Sequence, residues 1–166
     1  KRIALLQNYD FMTELIPMGA SWETLNINEC ITTSKNLGER LNEVFKNVNI
    51  NVVRPCIEDI FENTNNEKKL IVNIVSKDQN DINAIVKPFK WKYPMYGFVA
   101  FRYVNGQDKE TFAKLLKESP ITIWNDPFTD FGASALEAMA CGNIIIGKVP
   151  ESEPEWMVKE GTFKDN

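Results

Sequence analysis

The residue best placed to do chemistry is Glu137, the single carboxylate in the run Ala133-Ser-Ala-Leu-Glu-Ala-Met-Ala-Cys-Gly142. A carboxylate on the flank of a helix can accept from two hydroxyls of a ribose, as the acidic residue of a dinucleotide site does. Gly132 stands at the start of the same run and permits an unusual backbone angle or a close ligand approach. Unpaired N–H groups and the helix dipole favour an anion at that end. Around these residues the pattern is a turn signal, Asp126-Pro-Phe-Thr-Asp130, then a small-residue helix, a stop at Gly142 and the buried strand Asn143-Ile-Ile-Ile-Gly147. This is half of a nucleotide-binding unit. At about 100° per residue, Leu136, Met139 and Ala140 are predicted to face the core, with Ser134, Glu137 and Cys141 on the flank.

Phe131-Gly132 and Glu137-Ala-Met-Ala-Cys-Gly142 resemble the signature of retaining GT-B glycosyltransferases of the group 1, glycogen-synthase-like kind, E-x-F-G-x-x-x-x-E-A-M-A-x-G. In that family the segment belongs to the C-terminal domain and holds a sugar nucleotide, so the resemblance implies a nucleotide-sugar donor and a saccharide or glycolipid acceptor. It assigns Glu137 to the donor's ribose, and the backbone N–H groups of Phe131, Gly132 and Ala133 to its phosphate or sugar hydroxyls. The family's first glutamate, which contacts the donor sugar, falls on Thr129 here, with Asp130 one position later. Asp130 could shift into that place or act as a helix cap.

The family also supplies an arginine and a lysine after the first strand of the domain. The corresponding passage here is Asn73-Ile-Val-Ser-Lys77-Asp-Gln-Asn, which keeps only Lys77. Arg102, after the next strand, could substitute. Tyr103 and Val104 lie where the family packs the nucleobase, although core burial explains an aromatic there as well. The resemblance thus puts Glu137, Asp130 and Lys77 at the reacting end. Thr129, Phe131, Gly132, Ala133, Arg102, Tyr103 and Val104 would line the donor site with Glu137. No metal and no cofactor beyond the donor are expected. The alternative is a non-catalytic relative that keeps the fold for nucleotide binding or protein interaction, or a doubly wound signalling domain.

Composition narrows the chemistry further. There is no histidine, which removes His-based acid/base catalysis, Ser-His-Asp and Cys-His nucleophiles and nearly every usual zinc site. A formal charge of -4 without a dense Lys/Arg run disfavours a nucleic-acid partner. Cys30, Cys56 and Cys141 are widely spaced and odd in number, which suggests a reducing compartment, with the cytoplasm as default. No apolar run reaches the roughly 20 residues of a membrane span. Any membrane contact is expected to be peripheral, through a domain outside this chain.

The elements that must carry these residues alternate between strand and helix. Ile3–Leu6 reads as a strand, followed by irregular or helical structure to Trp22. Cys30–Thr33 is a strand, with Ser34 as cap of a helix bearing Leu37, Leu41, Val44 and Phe45. Asn51–Arg54 is a strand, Ile57–Phe61 a helical turn and Glu62–Glu67 a polar linker. Lys69–Ser76 is a buried strand, and Asp78–Val86 a helix ending by Pro88. Trp91, Tyr93, Pro94 and Tyr96 beside Lys90 and Lys92 read as a packed connection, or as a stacking surface for a sugar or base. Tyr96–Val104 is the next strand, Asp108 caps a helix with Phe112, Leu115 and Leu116, and Pro120–Trp124 is a strand. The alternation predicts an α/β fold with a doubly wound parallel sheet, Rossmann-like and of GT-B type, with ligands beyond the carboxyl ends of the strands. By the resemblance, 1–65 closes the acceptor-side domain and forms the hinge, and 66–166 is the donor-binding domain, incomplete at its C-terminus. An opening on Lys1 and a polar tail suggest a fragment of a larger two-domain enzyme.

Overall fold

The computed structural model describes residues 2–8, 16–127, 129–150 and 152–157. The first unit is a parallel sheet of β1 (Arg2–Leu6), β2 (Ile27–Thr32) and β3 (Asn49–Val52), in that spatial order, with helix α1 (Lys35–Val44) between β2 and β3. Ser34 begins α1 as expected: its backbone is extended and its hydroxyl accepts from the Leu37 N–H at 3.0 Å. Leu37 and Leu41 of the helix join Leu6, Cys30, Trp22 and Val48 in a core that covers one sheet face. Burial in this core pushes the Cys30 thiol up to about 11, so it stays protonated. The expected irregular stretch after β1 falls partly on 9–15, outside the described residues.

A 3₁₀ turn at Asp59–Phe61 leads into the second sheet, formed by β4 (Ile71–Ser76), β5 (Ala100–Val104), β6 (Ile121–Asn125) and β7 (Ile144–Gly147). All its pairings are parallel, in the spatial order β5-β4-β6-β7. Helix α2 (Asn80–Lys92) connects β4 to β5, α3 (Lys109–Lys117) connects β5 to β6, and α4 (Ala133–Ala140) connects β6 to β7. The chain steps one way from β4 to β5 and the other way from β5 to β6. Right-handed crossovers therefore put α2 on one face and α3 with α4 on the other, which is the doubly wound arrangement the alternation predicts. The main core lies on the α3/α4 face, where Phe61, Leu116, Trp124, Ala135, Ala138, Cys141 and Ile145 pack together.

Four local expectations are corrected. The helix after β4 does not end at Pro88 but runs to Lys92, because Phe89 beyond the proline packs on Phe101 of β5 at 5.4 Å between ring centroids. Tertiary contact here outweighs the lost backbone bond of an interior proline. The strand predicted from Tyr96 starts at Ala100, since Pro94–Tyr96 closes into a 3₁₀ turn. The aromatic segment is no packed connection: every residue from Lys90 to Phe98 is exposed. On α4, finally, Ala135, Ala138 and Cys141 face the core, while Met139 is 41% exposed. The smallest side chains are the buried ones because the helix lies close to β6, β7 and α3.

The carboxyl ends of both sheets converge on the turn before α4. Asn8, just after β1, forms an antiparallel bridge with Thr129, and the residues after β2 reach Asp130. Residues 152–157 bind across both units. The Ser152 hydroxyl donates to the Thr129 carbonyl at 2.6 Å, the Asn36 amide donates to the Glu153 carbonyl, and Arg54 pairs with Glu155 at 2.5 Å.

Candidate functional site

β4, β5 and β6 end side by side, and the segments that leave them surround a cavity of about 220 Å³. Val75, Val104 and Phe112 form its apolar wall, and Ser76, Lys77, Asn105, Gln107, Asp126 and Ser134 its polar rim. This lies below the roughly 300 Å³ at which pockets for whole ligands begin, so it has room for one base or one sugar ring.

The α4 side of the cavity is built by packing. The indole of Trp124, fully buried, donates to the Ser134 hydroxyl at 3.0 Å and so fixes the first turn of the helix against β6. Gly132 begins the helix in the left-handed region at φ +70°, and a Cβ there would stand 3.1 Å from Trp156 and 3.3 Å from Trp124. Both the angle and the two indoles require glycine. At the other end Gly142, at φ +75°, turns the chain out of the helix into β7.

Ser134 lines the cavity, and Glu137 follows three residues later on the same flank, about 5 Å further along the axis. Glu137 is half-buried, and this desolvation raises its pKa. The ammonium of Lys109 at the start of α3 acts in the opposite direction, and the carboxylate of Glu58 adds to the rise. Lys109 and Glu58 are themselves an ion pair. Glu137 does not itself line the cavity; it is a partly desolvated acceptor one turn beyond Ser134, with a cation close by.

The other sequence-predicted residues divide into two groups. Val104 and Lys77 border the cavity; Lys77 is exposed there and pairs with Asp126 at 3.1 Å. Thr129, Phe131 and Gly132 shape the turn: the Gly132 N–H donates to the Thr129 hydroxyl at 3.2 Å, and the Phe131 carbonyl accepts from the Trp156 indole at 2.6 Å. Ala133 is the first residue of α4.

Asp130, Arg102 and Tyr103 are directed elsewhere. Asp130 is fully buried, with one carboxylate oxygen accepting from Thr33 at 2.6 Å and the other from Ser34 at 2.8 Å. It neither caps α4, which has no side-chain cap, nor opens to the cavity; it ties the turn to the end of β2. Desolvation raises its pKa against the two hydroxyl donors, which lower it; Glu155 raises it further and Arg40 lowers it. Arg102 bonds Asn73, the Leu115 carbonyl and Glu118, and its guanidinium holds the Glu118 carboxyl below the usual range. Glu118 lies just before β6, so this arginine is spent at the end of the sheet away from the cavity. The Tyr103 phenol donates to the Ser76 carbonyl at 2.9 Å and thereby braces the end of β4.

Sequence reasoning missed Gln107, Asp126, Lys109 and Glu58 as neighbours of the site. Asn105-Gly106 and Asp126-Pro127 read only as turn signals. Their position after strands that end together was the available clue.

Neither a protein-family model nor a curated protein sequence matches the chain. Among solved structures it is similar to the pneumococcal O-GlcNAc transferase GtfA in complex with UDP and GlcNAc, with a TM-score of 0.56 and 9% sequence identity. The similarity covers 89% of this chain and 37% of that one, so the chain spans little more than a third of that transferase. At such identity the likeness is one of fold. The Rossmann-like, GT-B-type α/β fold expected from the strand and helix pattern is the fold of this chain.

Proposed function

We propose that this chain is the donor-binding part of a glycosyltransferase, together with the end of its acceptor-side domain over 1–65. The observation that carries the reading is that Ser134 of α4 lines a cavity at the carboxyl ends of three parallel strands, with the half-buried Glu137 one turn further along the same flank. In this reading the base packs on Val104 and Phe112, and the Glu137 carboxylate accepts from the ribose hydroxyls. The diphosphate lies toward the turn before α4. GtfA is described with UDP and GlcNAc, which supports a nucleotide sugar as the ligand class.

Transfer breaks the bond between the anomeric carbon and the diphosphate, and the electron pair leaves with the phosphate oxygen. The anomeric centre becomes oxocarbenium-like, so the chief demand is stabilisation of the leaving group's charge. Lys77 and the amino end of α4 are the groups that meet this demand, and neither step requires a histidine. The acceptor hydroxyl bonds the anomeric carbon on the face the diphosphate leaves, with retention, and its proton passes to the departing phosphate oxygen.

Titration calorimetry and thermal shift against UDP-, GDP- and ADP-sugars test the reading. A ligand at 100 times its Kd raises unfolding free energy by about 2.7 kcal/mol. Glu137→Ala should abolish this shift, while Glu137→Gln should weaken it by roughly tenfold in Kd, the loss of one charge-assisted bond. No stabilisation by any of these nucleotides would sink the proposal. A second reading, a non-catalytic nucleotide-binding relative, is favoured by the internal engagement of Arg102 and of the Gly132 N–H. Binding without turnover by the complete protein would select it.

A further inference from the structure

We propose that the corner formed by the end of α2 and the following 3₁₀ turn docks on an anionic lipid surface. Nine consecutive residues, Lys90 to Phe98, are exposed. No cavity among the described residues is lined by this segment, so the surface it offers is an open one. At its tip stand Trp91, Met95 and Phe98, with 82%, 74% and 69% of their surface accessible. Clustered apolar exposure of this kind marks an interaction surface.

Charge selects the partner. Between Asp81 and Asp108 the chain has no acidic residue, although it carries 23 acidic side chains and a net charge of -4 overall. Lys87, Lys90 and Lys92 fall in this interval beside the apolar tip. The Lys90 and Lys92 ammonium groups lie over the rings of Phe101 and Tyr93, at 5.9 and 5.4 Å from the centroids. Tyr93 and Tyr96 add two amphipathic rings, partly exposed, whose ring contacts with Phe89 hold the corner in place. Tryptophan, tyrosine and lysine around an apolar tip are the composition that settles at the headgroup level of a bilayer, where rings sit among headgroups and ammonium groups meet lipid phosphate. No helix among the described residues is long and apolar enough to cross a membrane, so the contact is at the surface.

Geometry leaves the cavity open in the docked state. The corner precedes β5 and the cavity lies beyond its end, so the two are separated by a five-residue strand, about 16 Å. The lipid contact therefore does not depend on the nucleotide reading of the cavity.

The test is co-sedimentation of the purified 166-residue chain with vesicles of phosphatidylcholine alone and of phosphatidylcholine mixed with phosphatidylglycerol, at low and physiological salt. The chain should partition onto the anionic vesicles only, and salt should weaken it. Lys90→Glu with Lys92→Glu should lower partitioning roughly tenfold or more, and Met95→Ser with Phe98→Ser by a similar factor. Trp22 and Trp124 are buried, and Trp156 is packed on the main core with its indole held by the Phe131 carbonyl, so vesicle-induced blue-shifted emission should disappear in Trp91→Phe. Absence of binding to either vesicle overturns the proposal, as does binding that survives both double substitutions. Retention on immobilised polyglutamate without vesicle binding would assign the corner to an acidic protein and equally overturn it.

Discussion

Helices α4 and α2 both cross between strands of the same sheet, yet they are held in opposite ways. α4 has eight residues, and Ala135 and Ala138 are fully buried, with Cys141 beside them; α2 has thirteen residues and buries none of them fully. Small side chains let α4 pack closely on its sheet and on α3, and its flank brings Ser134 to the cavity with Glu137 one turn beyond. α2 rests one edge on the opposite face through Phe89 and leaves Lys90, Trp91 and Lys92 in water. Function can therefore reside on α4 in the few positions that packing does not claim, and on α2 in an exposed end that contributes little burial.

If that contrast is right, the largest effects come from under α4. Trp124→Ala removes a fully buried indole that packs on Gly132 and bonds Ser134, and should cost about 3–5 kcal/mol in urea unfolding. The surviving folded fraction should also lose nucleotide binding, because Ser134 and Glu137 turn with the helix. Ala138→Leu should cost about 1–3 kcal/mol by overpacking. A cost below about 0.5 kcal/mol for Ala138→Leu would mean that α4 is not tightly seated and would remove the contrast.

Asp130 extends the contrast to the turn before α4, which it ties to the end of β2. Asp130→Ala leaves the Thr33 and Ser34 hydroxyls without their acceptor and should cost about 1–3 kcal/mol. Asp130→Asn keeps an acceptor and a donor without the buried charge, and should be close to neutral near neutral pH. The pH dependence has a definite sign. The folded-state pKa is raised, so the aspartate's contribution is fully present below the ordinary value of about 4 and is lost as pH rises through the folded value. Wild type should therefore gain stability relative to Asp130→Asn as pH falls from neutrality, read from urea midpoints of the two proteins. A difference that moves the other way would mean that the hydroxyl donors outweigh desolvation.

Much of this was legible in the chain. The unbroken β-branched runs, the Ser34 and Asp108 caps and the Gly132 to Gly142 frame all report local geometry, and each stands where it was expected. What was not legible depends on partners distant in sequence. Asp130 is claimed by residues 96 and 97 positions away, and Arg102 by Glu118, which reaches it only after the intervening helix returns the chain to the sheet. The buried stripe of α4 was misplaced because a periodicity argument ranks side chains by size, whereas a helix this close to its sheet buries alanine. Pro88 looks like a stop in the sequence because the ring contact that carries the helix past it lies on β5. The cavity's neighbours came from turns, whose shared location emerges only once three strands end together.

The smallest effects are expected at the end of α2. Pro88→Ala restores an interior N–H and should stabilise the protein by up to about 1 kcal/mol, less than the usual penalty for an interior proline because the residue is exposed near the helix end. Trp91→Ser and Phe98→Ser each remove an apolar surface that folding leaves in water, so neither forfeits much burial. Both should shift unfolding free energy by no more than about 0.5 kcal/mol, and nucleotide affinity should be unchanged. A loss above about 2 kcal/mol would show that these side chains support the fold as α4 does. An unchanged urea midpoint together with lost vesicle binding would instead assign Trp91 and Phe98 to the docking surface, because a residue retained for packing cannot be removed from the fold without cost.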